Sequence, residues 1–458
     1  MRDLRLFVLL AVLPGSIGTR SALAQRPLEA AVDSVMRAAT ARGPIAGASI
    51  GVRLGAAFEY VQGYGFADLE HRVPAGPATV YRIGSITKQF TAAAVMRQVD
   101  AGHVSLDDPL TRFLPTYPTQ GHTVTLHHLL THTSGIRSYT GLGERWLEKM
   151  PLELTSDELI ALFRDEPFDF APGERYRYSN SGYYLLGVIL DSVVDMPYAT
   201  YVETELARPL GLESTWYCDV HRVIPHRAQG YTRSDGTFQR AEPLGMSQPG
   251  AAGALCSTAG DLLAWNAALV NGRVVSAGAY ARMITPARLN DSVATDYGYG
   301  LAVGERDGRR VIEHGGGING FSSHLAWYPD DTLTVVVLAN TQEATAGVLA
   351  RDLARVALGV SDPEGRDLPV TRDDIARYRG TYDLGLLALR VFEANGSLNA
   401  QGTNQPAFRL LSQGNHAFVA EFDRSVRIEF HVTNGRATAL TLYQAGRATR
   451  AERVEGGR

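Results

Sequence analysis

Ser85 and Lys88 lie three residues apart in YRIGSITKQF (81–90), ahead of a run of small and apolar residues that ends at Gly102. On a helix, an i, i+3 pair shares one face. A hydroxyl beside an amine is a nucleophile beside a base. Lys88 and Lys149 are the only lysines in a chain that otherwise writes its basic residues as arginine. Arginine stays protonated at physiological pH, whereas lysine gives up its proton when burial or a nearby positive charge lowers its pKa. Position 88 therefore reads as a place where a proton moves. If Ser85 opens the helix, the positive end of the helix dipole favours an ionised Oγ. Lys88 then serves as the base, or as a charge that activates another base. The plain alternative is a helix-capping serine followed by a solvated lysine.

Two further stretches carry matching chemistry. In ERYRYSNSGYYLLG, Tyr178 and Asn180 alternate along an extended segment, so a phenol and an amide point the same way. A lysine ammonium nearby would lower the pKa of Tyr178 and let it take and return protons. Asn180 could hold the Lys88 amine or a substrate amide. In RRVIEHGGGINGF, His314 ends a strand and glycines follow, which let backbone N–H groups approach a substrate. One such N–H, paired with that of Ser85, would form an oxyanion hole. Two look-alikes are set aside. Residues 315–320 fit G-x-G-x-x-G, but SSHLAWYP follows and alternates like a strand, where a dinucleotide site needs a helix. Gly47-Ala48-Ser49-Ile50-Gly51 fits G-x-S-x-G, but VRLGAAFEY continues as strand, so Ser49 reads as buried sheet.

Several elements must hold these residues. Residues 27–42 read as an amphipathic helix with Leu28, Ala31, Val32, Val35 and Met36 on one side. GASIGVRLG and FEYVQGYGFAD read as strands, as do RRVIEH, SSHLAWYPD and TLTVVVLAN. Helical runs, among them TAGDLLAWNAALVNG, fill the middle, and a last helix covers 346–358. Strands at both ends with helices between them imply an α+β domain whose terminal segments share one sheet. SDPEGRDLPV (361–370) reads as a linker. Beyond it, alternating runs separated by Asn395-Gly396 and Asn434-Gly435 predict a small antiparallel β domain over 371–458, for which a barrel is one arrangement.

The N-terminus, MRDLRLFVLLAVLPGSIGTRSALAQ, has the charged, apolar and A-x-A order of a signal peptide cut after Ala24. Export to the periplasm or medium is the expectation, with residues 25–360 as the main domain. Cys218 and Cys256, the only cysteines, then allow one disulfide. With 45% hydrophobic and 20% charged residues and a net charge of −4, the chain reads as globular, with no basic block for nucleic acid. After the signal, no apolar run is long enough to span a bilayer. No metal site or cofactor is expected from so few thiols and no histidine-rich spacing. The oligomeric state is left open.

Ser85-Ile-Thr-Lys88, Tyr178-Ser179-Asn180 and His314-Gly315-Gly316, in that order, resemble the penicillin-binding-protein and serine β-lactamase superfamily. The likeness is strongest to its class C branch, which also holds D-peptidases and esterases. LLTHTSGI (129–136) and GALCSTAGDLLAW (253–265) resemble other family segments. ARYRGTYDL (376–384) resembles the lipocalin-like β domain appended to some members. The resemblance implies a β-lactamase/transpeptidase-like fold, an antiparallel sheet beside a helical subdomain. It implies Ser85 as the acylated nucleophile, Lys88 and Tyr178 as shared general base, and Asn180, His314, Gly315 and Gly316 at the substrate. The N–H groups of Ser85 and Gly317 become the oxyanion hole. The implied partner is a small ester or a short peptide containing D-amino acids. A class C-like β-lactamase and a catalytically silent penicillin-binding or sensor protein are the alternatives. Against β-lactamase activity, this chain has His-Gly-Gly where antibiotic-destroying members often carry Lys-Thr-Gly.

Overall fold

The computed structural model describes residues 18–42, 45–360, 367–384, 388–394, 396–403, 405, 407–422, 424, 426–433, 435–444 and 447–454. Most of the expected signal segment, residues 1–17, lies outside them, as do 361–366 of the expected linker and the asparagines of both Asn-Gly turns. Helix α1 (Gly18–Arg42) leads into β1 (Gly47–Leu54) and β2 (Phe58–Asp68). The short β3 (Val73–Pro74) follows, and after the helical middle come β4 (Ala302–Arg306), β5 (Arg309–Ile318), β6 (Phe321–Tyr328) and β7 (Leu333–Ala339). These seven strands form one sheet, in the order β3-β2-β1-β7-β6-β5-β4. β1 pairs antiparallel with β7, from Ala48 opposite Ala339 to Leu54 opposite Leu333. The two ends of the domain thus close one sheet, as the strand pattern implies.

β7 is apolar except for Thr334, whose hydroxyl accepts from Asn266, and every residue in it is buried, so both faces of the sheet are covered. Alternation along the strand sorts its side chains. Val335 and Val337 face a core that holds Val32 and Met36 of α1 and Leu349 and Leu353 of α5 (Ala346–Leu358). Val336 and Leu338 face the larger core with Leu262 and Leu263 of α4 (Ala259–Val270). That second layer also contains α2 (Thr87–Asp100) and α3 (Asn180–Val194), the helices that carry the candidate site. Ser49 is fully buried and donates to the Gly76 carbonyl at 2.8 Å, so it is structural, as expected. The GGGING stretch closes a hairpin between β5 and β6, with Gly320 at φ +82, not a dinucleotide loop.

Cys218 and Cys256 are both buried free thiols in one small apolar cluster, not a disulfide. The Cys256 thiol donates weakly to the Trp216 carbonyl at 3.7 Å. Among the described residues, no single helix is long and apolar enough to cross a membrane, and no group of three or more His, Cys, Asp and Glu is placed to hold a metal. The C-terminal region forms a closed eight-stranded barrel from Gly380–Asp383 to Arg447–Val454. A capped helix, Arg372–Tyr378, contributes Ile375 and Tyr378 to the barrel's core. Gly396 and Gly435 take φ +71 and +77 at two hairpin turns, values that glycine reaches without strain.

Candidate active site

Ser85 sits in a tight 3-10 turn (Gly84–Ile86) that runs directly into α2. Its side chain makes no capping bond, so the helix does not consume the hydroxyl. Gly84 has φ +50, and a side chain there would press within 3.1 Å of the Gly317 backbone. A residue at Gly316 would collide with the Ile83 carbonyl at 2.1 Å. Glycine at both places lets the Ser85 turn lie against the end of β5. The Ser323 hydroxyl fastens the contact by donating to the Ile83 carbonyl at 2.8 Å. Ser85 and Gly317 therefore line the same small cleft, of about 100 Å³, together with Asn180, Tyr139, Thr140 and Asn319. Gly315 and Gly316 do not line it. Gly315 turns toward the His324 ring on the other side of the sheet.

Lys88, the second residue of α2, lies one turn on from Ser85 and is fully buried, so the solvated-lysine alternative fails. Its Nζ lies 3.2 Å from Ser85 Oγ, 2.9 Å from Asn180 Oδ1 and 2.8 Å from the Ala252 carbonyl oxygen. Burial holds its pKa well below the ordinary 10.5. The neutral amine that burial favours has two N–H bonds and one lone pair. Asn180 Oδ1 and Ala252 O can only accept, so they take the two N–H bonds. The lone pair is left for the Ser85 O–H, which is the arrangement of a base holding its nucleophile. Asn180 is itself fixed: its amide nitrogen donates to Thr140 Oγ1 at 3.2 Å and its backbone N–H to Ser138 Oγ at 3.1 Å.

The Tyr178 ring centre lies 4.6 Å from Lys88 Nζ, and the Tyr183 ring centre 5.4 Å. The sequence reading expects the lysine to lower the pKa of Tyr178. The structure reverses this: burial raises it above 10, and a contact with Ser85 lowers it only in part. The residue as a whole is half-buried, but its hydroxyl is buried and has no hydrogen bond of normal geometry. The reason for the reversal is that the same burial disfavours the charge on Lys88 that would have stabilised a phenolate. Tyr178 is therefore a phenol, poised to give a proton rather than to take one first.

His314 is buried beside this group, 6.2 Å from Tyr178 between ring centres. Its Nδ1 donates to the Gly315 carbonyl at 2.6 Å and its Nε2 accepts from the Tyr297 hydroxyl at 2.8 Å. That pattern belongs to a neutral imidazole. Burial, the largest cause, pushes its pKa down from 6.5 to about 3, and any charge on Lys88 would act in the same direction. So position 314 supplies no positive charge.

One residue escapes a reading based on residue type. His132, in LLTHTSGI, holds Tyr178 from three directions. Its carbonyl accepts from the Arg177 N–H at 2.9 Å, its Nδ1 accepts from the Ser179 N–H at 3.1 Å, and its ring lies 4.1 Å from the Tyr178 ring. It is fully buried at φ +58, and burial keeps it neutral. The only signal in the sequence is the family-like segment in which it sits. Its task depends on neighbours more than forty residues away.

The fold and site have counterparts among known proteins. Residues 32–359 match the family model described as Beta-lactamase. Penicillin-binding protein 4* of Bacillus subtilis is 26% identical over 423 residues, covering 86% of this chain and 92% of that protein. A D-aminopeptidase of Gluconobacter oxydans is 30% identical over 360 residues, covering 78% of this chain and 65% of that protein. The structure of an octameric penicillin-binding protein homologue from Pyrococcus abyssi aligns with a TM-score of 0.65 at 26% identity, over 93% of this chain and 99% of its own. With Ser85, Lys88, Tyr178 and Asn180 drawn together at the junction of sheet and helices, and with most of its length matched, the chain belongs to the Beta-lactamase family.

Proposed function

We propose that the protein is a serine hydrolase that forms an acyl-enzyme on Ser85, acting on small esters or on peptides that contain D-amino acids. The observation that carries this reading is the fully buried Lys88 amine, 3.2 Å from Ser85 Oγ, with its other two partners able only to accept. The D-aminopeptidase relative supports the choice of substrate, although this chain spans only 65% of that protein. In the first half-reaction the Ser85 hydroxyl gives its proton to Lys88 Nζ as Oγ bonds to the carbonyl carbon. The carbonyl oxygen becomes an oxyanion, held by the N–H groups of Ser85 and Gly317. The transient ammonium faces the rings of Tyr178 and Tyr183, where cation–π attraction offsets part of its burial cost. Tyr178 gives its proton to the leaving amine or alkoxide as the bond to carbon breaks, and regains one from Lys88. In the second half, Lys88 takes a proton from the water that bonds to the acyl carbon and returns one to Ser85 Oγ as the ester bond breaks, so the acid is released and Ser85 and the neutral amine are restored.

A β-lactamase is the weaker reading. The neutral His314 offers no cation to the carboxylate that a β-lactam carries. Labelling with a fluorophosphonate while ester turnover is followed checks the proposal. The expected outcome is loss of activity in step with a single adduct on Ser85. An adduct elsewhere, or inactivation with Ser85 unmodified, contradicts it.

A further inference from the structure

Among the described residues, no charged side chain lines the catalytic cleft, and the titratable groups behind it, Lys88 and His314, have their charged forms disfavoured by burial. A larger cavity, of about 490 Å³, adjoins the cleft at Leu244 and Asn319, which line both. Its character is different. Arg82, Arg227 and Arg240 all line it. Arg240 is committed to Glu70 through a two-pronged ion pair. Among the described residues, Arg82 and Arg227 have no carboxylate partner. Arg82 lies over the Phe321 ring, with its guanidinium carbon 5.9 Å from the ring centre. Arg227 donates only to the Asp219 backbone carbonyl, at 3.1 Å.

The backbone places these two side by side. The Val80 N–H donates to His226 O at 3.0 Å and the Ala228 N–H to Val80 O at 2.9 Å, which ties the Arg227 segment alongside the strand Tyr81–Arg82. The carboxylate that lines the cavity is Glu242, and its backbone carbonyl is held by Asn319 at 3.1 Å. Three guanidiniums against Glu70 and Glu242 leave one positive charge over in a concave, partly apolar space, with the Cys218 thiol beside Arg82 as a further ionisable neighbour. Guanidinium does not lose its proton in a protein and presents a fork that matches a carboxylate.

Position decides which part of the substrate meets this charge. β5 runs from His314, beside Tyr178, to Ile318, next to Asn319 at the arginine cavity. The leaving group must depart on the Tyr178 side, because Tyr178 protonates it. The far end of the cleft therefore receives the acyl part.

We infer that the arginine cavity is a subsite for a carboxylate on the acyl portion of the substrate, so that the preferred acyl donors are acidic. This rests on the hydrolase reading above. It is tested with p-nitrophenyl monoesters of dicarboxylic acids of increasing length, each against the neutral ester of matched length. The wild type should favour the acidic ester at one or more lengths. In the Arg82→Gln, Arg227→Gln double variant, the acidic-to-neutral ratio of kcat/KM should fall tenfold or more, with the loss in KM. Arg82→Lys with Arg227→Lys, which keeps the charge, should restore part of it. A folding defect is bypassed in the wild type itself, where added sodium chloride should lower the ratio. Neutral esters hydrolysed with no preference for acidic ones at any length, or a ratio that neither salt nor the double variant changes, overturns the subsite alone. No hydrolysis of any ester or of any D-amino-acid-containing peptide by intact protein overturns the hydrolase reading and the subsite with it.

Discussion

Around Lys88, burial holds an amine, two imidazoles and a phenol uncharged. One wall away, Arg82 and Arg227 keep their charge in a cavity of about 490 Å³. The two regions share Leu244 and Asn319 yet use opposite electrostatics. Proton transfer needs groups that can exist without charge, and desolvation creates them. Recognition of an anion needs groups that cannot discharge. The chain's preference for arginine and its retention of lysine at position 88 follow the same division.

The largest effect should come from moving the property of one region into the other. Lys88→Arg puts a fixed cation beside Ser85 and removes the base, and kcat/KM should fall by about 10²-fold or more. Near-full activity would mean that position 88 supplies only charge. Tyr178→Phe separates giving a proton from taking one. An amine cannot leave without a proton, whereas p-nitrophenolate can. Amide turnover should therefore fall by about 10²-fold while p-nitrophenyl ester turnover falls much less. Equal losses on both substrates would make Tyr178 part of the base.

The smallest effect concerns stability against pH. His314 has a folded pKa of about 3 against an ordinary 6.5. As pH falls below 6.5 the unfolded chain takes up a proton there that the folded chain refuses, so stability is lost on acidification. Between pH 7 and 5 this amounts to on the order of 2 kcal/mol for a shift of that direction and size. Urea melts of wild type and His314→Gln at both pH values check it. The variant should lose less on acidification, and parallel losses would show that His314 is not buried neutral.

Much of this was legible in order and spacing. Ser85 and Lys88 at i, i+3 next to small residues, and Tyr178 two before Asn180, carry their own geometry. The apolar TLTVVVLAN and the alternating barrel strands announce a covered sheet and a half-buried one. Other features depend on distances that spacing does not encode. The pKa of Tyr178 follows from how deeply Lys88 is buried. His132 grips residues 177 and 179 from another loop. Arg82 and Arg227 meet only because the strand at 80–82 runs beside residues 226–228. The two cysteines share a cluster and yet remain thiols.

The central claim is that Lys88 is an uncharged amine in the folded protein. Because the chain has only Lys88 and Lys149, selective ¹³C labelling of lysine should give two side-chain signals, assigned by the loss of one in Lys149→Arg. The Lys88 signal should show a neutral amine at neutral pH and titrate well below the ~10.4 of an unburied lysine. A signal that stays that of an ammonium up to pH 9 in active protein would contradict the account.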